Sequence, residues 1–177
     1  MNMTPLPSIQ SKRLLLLPLG RDESIARTMV GWLNDPEITK YSEQRHTKHT
    51  VRSQMSYIRS FNQRKGQTKG SLYSIFRKDG LLLIGSITGH LDPNNGVVNV
   101  GIMLGDKENM GKGFGFEAWE AFCNKIRARK IEAGCMAINR PMMSICSKYG
   151  MMEEGRQEDH FIVGDDTCDL VHWGKIK

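Results

Sequence analysis

The sequence predicts one α/β domain built around a mixed sheet. Three observations carry this. The chain has 177 residues, enough for one domain with a proper core and too few for two comfortable ones. Short apolar runs bounded by Gly, Pro, Asn and Asp alternate with stretches whose apolar residues recur every three or four positions. Apolar residues make up 39% and charged residues 25%, a globular balance that excludes disorder as the main state.

The elements follow in order. Lys12 to Leu19 is an apolar run closed by Pro18 and Gly20, and reads as a first strand. Ile25, Ala26, Met29, Val30 and Leu33 share a helical face, which predicts a helix over Glu23–Leu33 with Asp22 as its cap. Asn34-Asp-Pro36 breaks it, and a short turn of helix follows. Val51, Met55, Ile58 and Phe61 predict a second long helix over Thr50–Phe61, and Gln63 to Gly70 reads as a polar loop. Leu72 to Phe76 alternates as a strand does, and Asp79-Gly80 turns the chain into a strand from Leu81 to about Leu91. Asp92 to Gly96 is a dense turn signal before a strand over Val97–Leu104. A helix is expected from about Gly113 to Lys130, then a strand over Ile131–Ile138. A short helix is expected over Pro141–Tyr149, with Pro in its first turn and Gly150 at its end. Two last strands, near Glu154–Val163 and Thr167–Ile176, are joined by Gly164-Asp-Asp166.

Composition narrows the function. Twenty-five Lys and Arg against nineteen Asp and Glu give a net charge of +6, which favours anionic partners. The cations are not interleaved with stacking aromatics and no recognition-helix pattern is present, so nucleic acid is not the expected partner. No run of about 18 apolar residues exists, so no membrane-spanning helix is expected. The opening Met1-Asn-Met-Thr-Pro-Leu-Pro7 lacks the basic-then-apolar form of a secretory signal. Cys123, Cys135, Cys146 and Cys168 are far apart with no CxxC pair, which argues against a zinc site or a disulfide framework. No metal and a reducing, cytoplasmic compartment are the expectations.

The most informative segment is Val98-Asn-Val-Gly-Ile-Met-Leu-Gly-Asp-Lys-Glu-Asn-Met-Gly-Lys-Gly-Phe-Gly-Phe-Glu-Ala118. A strand leads into a loop with Gly111, Gly113 and Gly115, and the loop opens a helix. Alternate glycines let successive N–H groups turn into one concavity, the helix start adds partial positive charge, and Lys112 adds a full one. That combination suits a pyrophosphate. It is not the phosphate loop of nucleotide hydrolases, because Lys112 is followed by Gly113 rather than Ser or Thr. Nor is it the dinucleotide fingerprint, because GxGxG here comes late in the chain. The remaining alternative is a turn that merely lets strand and helix pack closely.

Met110-Gly-Lys-Gly-Phe-Gly115 resembles the Gln/Arg-x-x-Gly-x-Gly/Ala acetyl-CoA loop of the GCN5-related N-acetyltransferases (GNAT). Ser11-Lys-Arg-Leu-Leu-Leu16, Trp32-Leu-Asn-Asp-Pro-Glu37 and Gly113-Phe-Gly-Phe-Glu-Ala118 are similar to segments of its Rim-type subfamily, and so is Asn139 followed by Lys148-Tyr-Gly-Met151 and Glu154-Gly-Arg156. The resemblance covers nearly the whole chain. It implies a single N-acetyltransferase domain over residues 1–177, with a mixed, mostly antiparallel sheet of six to seven strands, splayed at its central strands and flanked by about four helices.

The resemblance also implies roles. Ile102, Met103 and Leu104 would pair with the pantetheine arm of acetyl-CoA and offer an N–H to the thioester carbonyl. Main-chain amides from Met110 through Gly111, Lys112, Gly113 and Phe114 to Gly115 would cradle the pyrophosphate. Asn139 would hydrogen-bond the pantetheine; its alternative reading is a helix cap before Pro141. The chain departs from the family pattern in four places, the first three being these: Met110 replaces Gln or Arg, Asn99 stands where many members place a glutamate base, and Met142 stands where Rim-type members often have Ser. Cys146 stands where other members have an acidic Tyr, and is the candidate for returning a proton to the leaving sulfur, with Ser144 and Ser147 behind it.

The reaction needs a neutral amine, and an alkyl amine titrates near 10.4, so some group must take a proton. By resemblance, Tyr41 to His49 lines the acceptor mouth. Glu43 and His46 are the first candidates for base or amine-orienting group. Trp32, Tyr41, Arg45 and His90 are candidates for holding the acceptor. A basic mouth around Arg45, Lys48 and Arg52 suits an acceptor bearing phosphates, or an acidic protein. The expectation is a small amine or amino-sugar nucleotide, acetylated by direct transfer. Two alternatives stay open: a protein N-terminus of the ribosomal-protein kind, and a non-catalytic CoA-binding sensor. A monomer or a homodimer fits either.

Overall fold

The computed structural model describes residues 7–62 and 70–177. Eight strands form one sheet: β1 (Ile9–Gln10), β2 (Leu14–Pro18), β3 (Gly70–Arg77), β4 (Leu82–Asp92), β5 (Val97–Leu104), β6 (Lys130–Met136), β7 (Met152–Val163) and β8 (Asp166–Ile176). Their order across the sheet is β1-β2-β3-β4-β5-β6-β8-β7. Every neighbouring pair is antiparallel except β5–β6, which is parallel. Among the described residues five α-helices accompany it: α1 (Glu23–Leu33), α2 (Pro36–Thr39), α3 (Val51–Asn62), α4 (Phe114–Lys125) and α5 (Arg140–Tyr149). The count exceeds the expected six to seven strands by the two-residue β1, and the fifth helix is the short turn after Pro36.

Helix α1 spans the residues its periodicity predicts. The Asp22 carboxylate accepts hydrogen bonds from Ser24 N (2.8 Å) and Ile25 N (3.3 Å), which supplies two otherwise orphaned amides with an acceptor. Helix α4 ends at Lys125, short of the expected Lys130. Tertiary bonds take over there: Arg129 N and Lys130 N donate to Gly96 O, and Lys177 Nζ donates to the carbonyls of Cys123 and Ile126. The strand expected over Leu72–Phe76 is real but does not alternate in burial, because Leu72, Tyr73, Ser74 and Ile75 are all buried. The sheet is covered on both faces at that point. The polar stretch expected from Gln63 lies, up to residue 69, outside the described residues.

Two cores result. On one face α4 and α5 pack Trp119, Phe122, Cys123 and Cys146 against Ile75, Ile87, Val98, Val100 and Ile131. On the other, α1 and α3 pack Ala26, Met29 and Ile58 against Leu19 and Leu72, with Trp32 and Met103 at the margin. Strand β5 therefore sends Ile102 and Leu104 into the first core and Met103 toward the second, as the two-residue period of a strand requires.

Candidate active site

The parallel pairing of β5 with β6 holds for only three rungs: Val97 with Lys130, Val98 with Ile131, and Asn99 with Glu132. Beyond Asn99 the two strands part. Strand β5 continues to Leu104 bonded to β4 alone, and β6 continues to Met136 bonded to β8 alone. The edge of β5 from Val100 to Leu104 thus faces a wedge-shaped opening in mid-sheet. A strand edge without a neighbour presents N–H and C=O groups that an extended ligand can satisfy.

The glycine loop lies between β5 and α4 in the chain, after the point where β5 and β6 have parted. Gly111 and Gly113 have φ of +73° and +80°, left-handed values that carry a cost for any residue with a Cβ. Gly113 is the N-cap of α4, and no side chain caps the helix. Its first-turn amides are therefore left for a ligand, in the field of the helix dipole. Lys112 is exposed, and its carbonyl is held by Arg13 Nη1 at 3.1 Å. Arg13 also lies over the Phe114 ring, 4.2 Å from its centroid, with Arg77 on the same ring at 5.7 Å. Gly115 is buried in the first turn of α4 between Leu104 and Ile145, and Met110 is exposed. The loop is braced from below and open above.

Glu117 anchors the brace. Its carboxylate accepts from Ser11 Oγ (2.7 Å), Arg13 N (2.7 Å) and Arg13 Nε (2.6 Å). Burial alone would raise its pKa, but the Ser11 hydroxyl, the Arg13 amide and the Arg13 guanidinium together hold it below the usual glutamate value. Residues 11–13 thus support, from about a hundred positions away, the loop that opens α4.

Asn139 is the N-cap of α5, and its Oδ1 accepts from Met142 N at 3.2 Å. The cap uses the oxygen and leaves the NH2 group. Cys146 is wholly buried under α4 and β6, where burial pushes its thiol up to about 12. Ser144 and Ser147, by contrast, are exposed.

The acceptor-side candidates fall into two places. Trp32 lies against the main chain of Gly105, just past β5. Asp35, the N-cap of α2, pairs with Lys107 at 2.6 Å, which fixes the α1–α2 corner to the loop after β5. A single 3-10 turn spans Glu43–His46. In it Glu43 Oε1 pairs with Arg45 Nη1 at 2.7 Å, and Glu43 Oε2 lies 3.8 Å from His46 Nε2. Arg45 Nη2 reaches across to the carbonyl of Ile162 on β7 at 2.9 Å. Tyr41 lies just before this turn, with Lys40 Nζ over its ring. His90 is elsewhere. It pairs with Asn99 at the root of the wedge, against Phe61, five residues along β4 from Gly85, which pairs with Leu104. Five residues of strand are about 17 Å.

A mid-sheet opening beside a glycine-led, uncapped helix start defines a site for an extended ligand with an anionic end. A family model described as an acetyltransferase (GNAT) domain matches residues 13–152, and the chain belongs to that family. It is an N-acetyltransferase that uses acetyl-CoA.

Solved structures share the fold. RimL, a ribosomal L7/L12 α-N-protein acetyltransferase in complex with coenzyme A, superposes with a TM-score of 0.83 at 15% identity, over 96% of this chain and 98% of that one. The ribosomal-protein-S5-alanine acetyltransferase from Vibrio fischeri gives 0.80 at 16% identity, over 96% of both chains. The microcin C7 self-immunity acetyltransferase MccE, in complex with acetyl-CoA and AMP, gives 0.77 at 17% identity, over 94% of both. The identities establish a common fold and leave acceptors open. A search of the curated proteins returns no significant match. No helix among the described residues is long and apolar enough to cross a membrane.

Proposed function

We propose that the chain acetylates a small primary amine, of the amino-sugar nucleotide kind, by direct transfer from acetyl-CoA. The observation that carries the transfer from acetyl-CoA is the parting of β5 from β6 beside the uncapped start of α4. When bound there, the cosubstrate supplies an acetyl thioester. The amides from Met110 to Gly115 hold its diphosphate, and the unpaired edge at Ile102, Met103 and Leu104 aligns its arm. One of those N–H groups polarises the thioester carbonyl and stabilises the charge that builds on its oxygen. The NH2 of Asn139 adds a donor from the opposite side.

Asn99 is exposed, and an amide does not accept a proton, so the amine's proton goes elsewhere. His46, with the Glu43 carboxylate beside its ring, is the group proposed to take it. The α1–α2 corner, held by Trp32 on Gly105 and Asp35 on Lys107, sets the position of that turn relative to β5. Of the side chains offered for returning a proton to the leaving sulfur, Ser144 and Ser147 are accessible and Cys146 is not. Positioning supplies much of the remaining rate.

A second reading is acetylation of a protein N-terminus. The observation that favours it is the charge of the β7–β8 hairpin. Residues 152–169 hold seven carboxylates against Arg156 alone, in a chain whose net charge is +6. An acidic edge strand suits a basic peptide.

The test separates these. Acetyl-CoA should raise the melting temperature by ligand linkage, and Gly113→Val, which strains a left-handed position, should abolish the rise. Thiol release is then followed with amino-sugar nucleotides, polyamines and basic peptides as acceptors. No shift with acetyl-CoA in the wild-type protein sinks the transferase reading. A shift without turnover across the panel leaves a CoA-binding sensor. Turnover with peptides alone moves the acceptor to proteins.

A further inference from the structure

The α1–α2 corner and the hairpin tip enclose an open groove of about 710 Å3. That volume is in the range of small-molecule sites and too small for a folded partner. Among the described residues its cationic and titratable lining consists of Lys40, Arg45, His46 and Lys48, with no carboxylate. The absence is notable because the hairpin on one side is the most acidic part of the chain; only its tip, Val163 and Gly164, reaches the groove. Arg52, expected with the basic mouth, lies on α3 and does not line it.

The four groups divide by what already holds them. Arg45 is a strut. Its guanidinium donates to Ser42 O, Glu43 Oε1 and Ile162 O, and its side chain is only 16% exposed. It joins the wall of the 3-10 turn to the wall of β7 and so fixes the width of the groove. Lys40 has one distant ion-pair partner, Glu37 Oε2 at 3.6 Å, and its ammonium lies 5.2 Å from the centroid of the Tyr41 ring, in water-exposed surroundings. Lys48 has no ion-pair partner among the described residues. Two ammonium groups with their hydrogen-bonding capacity largely unspent therefore face a concave space of ligand size. An exposed lysine pair on a convex surface would be satisfied by water. Here both are gathered on the rim of a groove whose other wall is fixed by Arg45.

The groove is also in the right place. Its lining begins at Leu33, the residue after Trp32, which lies on Gly105 at the end of β5. Its far wall belongs to the hairpin that pairs, through β8, with β6. It thus bridges the two sides of the mid-sheet opening. We propose that this groove is a subsite for the phosphate-bearing end of the acceptor, gripped by Lys40 and Lys48 while Arg45 holds the walls apart. The proposal rests on the acetyltransferase reading, and it names the anionic half of that reaction's acceptor.

The probe is uridine diphosphate, titrated by calorimetry into the full chain presaturated with coenzyme A, so that the glycine loop is already filled. Uridine diphosphate should bind, and more weakly as salt is raised, since exposed charges are screened. Lys40→Gln with Lys48→Gln should weaken it about tenfold, because each exposed charge contact contributes modestly. The same variant should take up coenzyme A with unchanged affinity, which also shows that it is folded. Lys48→Arg, which keeps the charge, should bind near the wild-type level. Binding that is absent in the wild-type protein, or unchanged in the double variant, overturns the subsite. Failure of the wild-type protein to take up coenzyme A overturns the transferase reading instead. The groove is then judged on the coenzyme-free protein, where the double variant must still lose uridine diphosphate for the subsite to stand.

Discussion

Trp32 and Gly105 share one space: a Cβ built on Gly105 would overlap the indole ring of Trp32. The contact joins the end of α1 to the chain just past β5, and Gly105 N also donates to Ile84 O at 2.9 Å, so neither side can drift. Gly105→Ala should therefore destabilise the fold by about 1–3 kcal/mol, the usual cost of overpacking. In a Trp32→Ala background the same change should cost far less, because the clashing ring is gone. Denaturant unfolding of the four variants gives the coupling directly. Additive effects would mean that the ring moves aside freely and that the corner is not fixed by this contact.

Glu117 ties three donor groups of Ser11 and Arg13 to the start of α4, and the loop depends on it. Glu117→Gln should destabilise by about 1–3 kcal/mol near neutral pH, since bonds to a charged acceptor are lost or weakened. The sign with pH follows from the depressed pKa of the folded state. The stabilisation is present above the unfolded glutamate value, near 4.3, and disappears as pH falls through the lower folded value. The stability gap between wild type and variant should therefore be full at pH 7 and shrink toward pH 3. A gap independent of pH would assign the loss to packing rather than to charge.

How far the sequence revealed this molecule depends on whether local chemistry or distant contacts decide each element. Helix α1 was legible because an aspartate cap and an apolar stripe agree on the same eleven residues. The glycine loop was legible because left-handed conformations at Gly111 and Gly113 demand glycine. The end of α4 was not. Its polar, basic continuation looks helical, and only the carbonyl of Gly96, far back in the chain, shows where the helix must stop. Strand β1 was hidden for a different reason: two residues carry no period. At the site, the cap role of Asn139 was readable from Pro141 beyond it, whereas the role of Arg45 as a strut to Ile162 was not, since the partner is a carbonyl that any residue would supply. The burial of Cys146 follows from the helical period of α5 combined with its packing on α4, and only the second of these needs coordinates.

All four cysteines are buried and unpaired. Burial pushes the thiols of Cys123 and Cys146 up to about 12, which leaves almost no thiolate at neutral pH. The native protein should react slowly with a thiol reagent at pH 8 and release four equivalents only on unfolding. Cys146→Ala should cost about 1–2 kcal/mol of stability through lost packing, while the pH dependence of kcat stays where it was. A pH profile that loses its alkaline limb in this variant would instead make the thiol the proton donor.

Asn139 gives its oxygen to the start of α5, and its NH2 group is the donor proposed for the cosubstrate's arm; the two roles can be separated. Asn139→Asp keeps an acceptor for Met142 N and places a negative charge at a helix start, so stability should hold or rise slightly. The same change removes the donor that the cosubstrate's arm would meet and leaves a carboxylate in its place. Affinity for acetyl-CoA should then fall about tenfold, the cost of a lost hydrogen bond plus an unpaired acceptor. Asn139→Ala should lose both, with about 1 kcal/mol less stability from the missing cap. Thermal unfolding with and without acetyl-CoA reads both quantities in one experiment. If the Asp variant binds as the wild-type protein does and only the Ala variant suffers, Asn139 is a cap and nothing more, and the pantetheine must find its donor on β5.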